Sequence, residues 1–150
     1  MQVAAVAANN PITQGLPMGG CGICLSISCA NALDCGPPGS NPSQNVTVYV
    51  ADTCTDCGAN DLSVQPLAFQ RIARLSLGQV PVVYSRVDCE PDGDILVRVD
   101  ANRETGGGWT RLTIQNVGGG GLVTSASLSG PGDTTRQDTA VPWEAYPRGC

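Results

Sequence analysis

Several stretches of the chain alternate apolar and polar residues with a period of two, the pattern of half-buried strands. In Cys21–Cys29 the residues Ile23, Leu25 and Ile27 fall on one face, and Cys24 and Ser26 on the other. Val46, Val48 and Val50 alternate into an acid, Asp52. Val80–Cys89 (VPVVYSRVDC) is a third strand, bounded by Pro91-Asp92-Gly93. Beyond that turn, Ile95–Val99, Trp109–Gln115 and Val123–Leu128 alternate between turn clusters and predict three more. Ser63 and Pro66 are helix-start signals instead. Leu67, Phe69, Ile72 and Ala73 supply that helix with a buried face, and Gly78 ends it. Val3–Ala8 is short, small and apolar, and reads as a helical turn closed by Asn9-Asn10-Pro11. Ala30–Gln44 reads as a Pro/Gly/Asn loop.

Composition agrees with a loop-rich β protein. The 150 residues include 19 Gly and 11 Pro, only 14% are charged, and 41% are apolar with few aromatics. That length allows one domain or two small ones. The net charge of −5, with no basic cluster, argues against nucleic acid and anionic membrane as partners. No apolar run reaches the ~18 residues of a membrane-spanning helix. Eight cysteines in this length point to an oxidising compartment. Asn45-Val46-Thr47 is a glycosylation sequon that agrees with secretion. The first residues, MQVAAVAANNP, lack the charged n-region of a signal peptide.

The stretch Val46–Ala73 organises the rest. It runs from a strand through Asp52, Cys54-x-x-Cys57 and Asp61 into the helix, so two carboxylates stand on the connection between two buried elements. Taken alone, Asp52 and Asp61 serve equally well as turn caps. The pairs Cys21-x-x-Cys24 and Cys54-x-x-Cys57 also permit a four-thiolate zinc site. The 29 residues between the pairs and the lack of any His count against that, and neither metal nor cofactor is expected.

Here the chain resembles a known family. The run Val48–Asp52 followed by Asp61-Leu62-Ser63 is similar to the strand–Asp–loop–Asp-Leu-Ser–helix pattern of expansins and EG45-like proteins. Cys21-Gly-Ile-Cys24…Cys29 resembles the family's Cys-Gly-x-Cys-x-x-x-x-Cys strand, and Val80–Cys89 its barrel-closing strand. Trp109…Asn116-Val-Gly-Gly resembles the start of the expansin C-terminal sandwich. The resemblance covers roughly residues 3–130 and implies an all-β protein. Residues 1–90 would form a six-stranded double-psi β-barrel, and residues 91–150 a small β-sandwich. Both would be incomplete: the family's first strand, its Gly-x-Cys-Gly loop and its last sandwich strands find no match, which reads as truncation.

The family pattern also implies the bridges Cys24–Cys89 and Cys29–Cys35, with Cys54–Cys57 a third by proximity, and leaves Cys21 and Cys150 without partners. The family's essential Asp falls on Asp61, and its strand-end acid on Asp52. Two positions depart from the pattern. Ala59-Asn60 replaces the His-Phe that often precedes the motif Asp, and Cys54 stands where bacterial relatives carry an aromatic.

The implied function is non-hydrolytic loosening of cell-wall polysaccharide networks, cellulose and hemicellulose, by a secreted, extracellular monomer. Trp109, Tyr84 and Trp143 are the candidate sugar-stacking aromatics, although Trp109 and Tyr84 suit a core equally well. Related barrel endoglucanases carry their base on the unmatched first strand. Inverting hydrolysis needs both an acid and a base, which makes hydrolysis an alternative reading. A barwin-like or EG45-like binding or signalling module is a third, and the extra segment Asp92–Cys150 argues against it.

Overall fold

The computed structural model describes residues 2–35, 45–106, 109–123 and 125–126. Two strands carry the centre of the molecule. β2 (Cys24–Cys29) and β3 (Val46–Cys54) run antiparallel, with Leu25 opposite Val48 and Ile27 opposite Val46. Their alternation buries Ile23, Leu25, Ile27, Val46, Val48 and Val50. Each such side chain contributes about 1.5–3 kcal/mol by leaving water. Cys24 is buried as well, although it belongs to the other face, because it is bonded to Cys89.

β1 (Val3–Ala7) differs from the helical turn expected there. It runs parallel to β3 on one side and antiparallel to β4 (Leu62–Val64) on the other. A helix this short does not hold in water. Pairing along both edges, with Ala4 and Val6 turned into the core, makes it a strand. Ser63 likewise belongs to β4 rather than to a helix start. β5 (Val82–Val87) pairs antiparallel with β2 and completes a curled sheet in the order β4-β1-β3-β2-β5. Five strands are therefore present among the described residues rather than a closed six, and β4 and β5 are the two edges.

Helix α1 (Ala32–Cys35) is a single turn within the stretch read as loop, opened by the Asn31 side chain, whose Oδ1 accepts the Leu33 N–H at 3.1 Å. Helix α2 (Pro66–Ile72) starts with Pro66 in its first turn, where the missing N–H costs nothing. Ala68 and Ile72, four residues apart, face the sheet, while Leu67 is 65% exposed rather than part of the buried face. The helix ends at Ala73, which turns extended. Gly78, at φ 68°, closes the separate 3-10 turn Leu75–Leu77.

The second sheet pairs β6 (Leu96–Arg103) with β7 (Trp109–Gln115). Of the third strand expected at Val123–Leu128, the described residues Val123, Ser125 and Ala126 are outside any strand; the rest lies outside the described residues. The chain after β7 returns to the first sheet. Cys89 and Gly119 exchange backbone hydrogen bonds of 2.7 and 3.1 Å, and Arg86 donates to the Gly120 carbonyl at 3.0 Å. Gly22 and Gly121 meet backbone to backbone, both with positive φ, and a Cβ on either would collide with the other's carbonyl.

Disulfides join Cys24–Cys89, Cys29–Cys35 and Cys54–Cys57. Cys21 is disulfide-bonded too, contrary to the expectation that it lacks a partner. With Cys24, Cys54 and Cys57 all in bridges, the four-thiolate zinc arrangement has lost its ligands.

Candidate functional site

Strict alternation would send Asp52 to the same face as Val46, Val48 and Val50, into the core. A bulge prevents this. Ala4 pairs with Val50 and Ala5 with Asp52, which leaves Ala51 without a partner on β1. The extra residue reverses the parity of the strand, a device that commonly re-aims a side chain. Asp52 is exposed as a result, and its Oδ1 accepts the N–H of Thr53 at 2.7 Å.

Two clips shape the loop that follows. The Cys54–Cys57 bridge closes its first half. Gly58 and Asp61 close the second: the Asp61 N–H donates to the Gly58 carbonyl at 2.9 Å, and the Gly58 N–H donates to Asp61 Oδ2 at 3.0 Å. A Cβ on Gly58 would lie 2.8 Å from Oδ2, so this approach needs glycine. Asp61 is exposed, and among the described residues its Oδ1 accepts no hydrogen bond. Register relates the two acids. Ala5 pairs with Asp52 on one side and Ser63 on the other, and Asp61 lies two residues ahead of Ser63. Both acids thus stand at the same end of the sheet with β1 between them, their backbones about 12 Å apart across two strand spacings and a two-residue offset.

Tyr84 is half-buried on β5, and protein partners engage its hydroxyl on two sides. Asn10 Nδ2 donates to it at 3.0 Å, and it donates to the Asn60 carbonyl at 3.0 Å. Asn10 itself is 0% exposed. Its Oδ1 accepts the Ile12 N–H, and its carbonyl accepts both the N–H and the hydroxyl of Thr13, each at 3.0 Å. Asn9-Asn10-Pro11 reads in sequence as a turn, and nothing in that pattern marks one of its asparagines as buried. Gly58 was equally easy to overlook. Its only signal is a glycine three residues ahead of the motif acid.

Trp109 lies at the far end of the β6–β7 hairpin, opposite Arg103, and is 48% exposed. The strand register gives the hairpin two unlike faces. Val97, Val99, Leu112 and Ile114 share one. Alternation along β7 puts Trp109 on the other, with Arg111 and Thr113, and Asp100, an extra residue between Val99 and Ala101, turns Arg103 to that face as well. The Arg111 guanidinium stands 5.9 Å from the centre of the Trp109 ring, within cation–π range. Trp143 lies outside the described residues.

A cleft of about 160 Å³ and mixed polar and apolar lining opens between the two sheet edges, with Leu62, Ser63, Val64, Phe69, Gln79 and Val82 among its walls. Neither acid lines it. Among the described residues no group of three or more His, Cys, Asp or Glu side chains is placed to hold a metal ion.

Comparison with known proteins gives one family. The chain is 29% identical over 126 residues to Expansin-A17 of Oryza sativa subsp. japonica, an alignment covering 75% of this chain and 42% of that protein. It is 29% identical over 119 residues to Expansin-A13 of Arabidopsis thaliana, covering 73% of this chain and 43% of that protein. Expansin-A10 of Oryza sativa subsp. japonica is 30% identical over 119 residues, covering 73% and 45%. The chain therefore spans less than half the length of these curated relatives. No family model matches it, and no solved structure matches it.

Proposed function

From an expansin-like chain, we propose a protein that loosens cell-wall polysaccharide without hydrolysing it. The observation that carries this reading is the state of Asp61. One carboxylate oxygen is clipped to Gly58, and the other faces solvent at the end of a curled sheet. A carboxyl held this way can hydrogen-bond or protonate an oxygen of a polymer laid across the loop. Asp52, re-aimed outward by the bulge, lines the same end. Trp109 belongs to the binding face, because its place on the polar side of the hairpin leaves the ring available for stacking on sugar. In this division of labour residues 1–90 act on the polymer and residues 91–150 hold it. Cellulose and hemicellulose are the proposed partners of a monomer. The bridged cysteines fit an extracellular setting.

The test is extension of a heat-inactivated wall strip under constant load, with this chain and with Asp61→Asn. We expect creep that Asp61→Asn abolishes, with no reducing sugar released by either protein. Release of reducing sugar that depends on Asp52 and Asp61 would move the chain to the barrel hydrolases. Retention on wall polysaccharide without creep from either protein would leave a binding module.

A further inference from the structure

We infer that Asn10 and Tyr84 are positioning residues for Asp61, acting through the Asn60 carbonyl. This rests on the reading of Asp61 as the group that acts on polysaccharide. The chain of hydrogen bonds has one direction. The Ile12 N–H requires an acceptor, which fixes Oδ1 of Asn10 toward it and leaves Nδ2 facing Tyr84. Tyr84 accepts from Nδ2 at 3.0 Å, so its single proton is left to donate to the Asn60 carbonyl at 3.0 Å. The alternative donation, from Tyr84 back to Asn10 Oδ1, is longer at 3.4 Å.

The Asn60 carbonyl belongs to the peptide that carries the N–H of Asp61. That N–H is bound to Gly58, and so is the carboxylate. Asp61 is thus held locally on two sides by Gly58 and, on a third, through the Asn60 carbonyl by a hydroxyl reaching from β5, 24 residues beyond Asn60 in sequence. Tyr84 is in turn held by Asn10, 74 residues before it in the chain. A fully buried amide is costly unless its groups are paired, and a purely apolar side chain would pack there without that requirement. The amide does what an apolar side chain would not: it sets the direction in which Tyr84 points its proton. Neither residue touches the polymer in this assignment. They hold the peptide from which Asp61 projects.

Tyr84→Phe removes the hydroxyl and keeps the ring, so it separates positioning from packing. We expect creep per folded molecule to fall by about two- to tenfold, the range set by one neutral hydrogen bond. Retention on cellulose should stay unchanged. Hydrogen exchange at the Gly58 and Asp61 amides should quicken by a similar factor, while the β2 and β3 amides keep their protection. A merely structural role would quicken exchange in β2 and β3 together and spare creep per folded molecule; that outcome overturns the inference. So does creep lost in Asp61→Asn but kept in a folded Tyr84→Phe with unchanged loop exchange, and it leaves the role of Asp61 intact. Creep unaffected by Asp61→Asn overturns both.

Discussion

Two carboxylates in this molecule have opposite surroundings, and the contrast defines what each can do. Asp61 keeps one oxygen outward, whereas Asp100 on β6 is engaged at both. The Thr113 hydroxyl and then the Arg98 guanidinium donate to Asp100 and hold its carboxyl below the usual carboxylate range. Its folded pKa is depressed, so its contribution is present above the unfolded value of about 4. It is lost as pH falls through the lower folded value. Trp109 fluorescence, read on the same face of the hairpin, should therefore titrate below about pH 4, and Thr113→Val should move that midpoint upward. A Trp109 signal flat between pH 5 and pH 2 would detach Asp100 from hairpin stability. Legibility also varies by residue. Asp61 stands out in sequence because a motif surrounds it, and Asp52 because a strand ends on it. Asn10 does not, because a buried asparagine that organises hydrogen bonds and an exposed one in a turn are written identically.

Elements follow the same division. β2, β3, β5, β6 and β7 were legible, since each has enough alternating positions to declare a period of two. β1 and β4 were not. They are five and three residues long, too short for a period, and only the neighbours on either side make them strands. The two bulges were equally invisible, yet one decides the outward aim of Asp52 and the other turns Arg103 to the polar face beside Trp109. An isolated two-stranded sheet is marginal in water, and Val97, Val99 and Leu112 on its apolar face are exposed. Because Trp109 is on the opposite face, Trp109→Ala should remove a surface contact and no core. Retention on cellulose should fall several-fold with little change in melting temperature. Unchanged retention would make Trp109 an idle surface residue, and a large loss of stability would place it in a core after all.

At the scale of the whole molecule, the bridge Cys24–Cys89 spans 65 residues, and both its ends are buried. By chain-entropy arithmetic a loop of that length is worth about 4 kcal/mol. Cys89→Ser should therefore lower the melting temperature by about 8–16 °C. Loss of the half-buried bridge Cys54–Cys57 across three residues should cost much less thermally while loosening the Asp61 loop. Differential scanning calorimetry of the two variants separates these effects, and equal losses would contradict the ranking. The position of the second sheet is tied to the same place, since Gly119 pairs with Cys89 itself.

That attachment has a mechanical meaning. The hairpin is fixed at its root and carries Trp109 at its tip, so β7 is an arm of about 20 Å. A pull on the indole, whatever applies it, becomes a torque about the Gly119–Cys89 pairing. The two hydrogen bonds there can yield, but Cys89 is also joined to the hairpin by the backbone that runs on into β6, and to β2 in the centre of the first sheet by its disulfide, so tension at the tip reaches the core strand along covalent bonds.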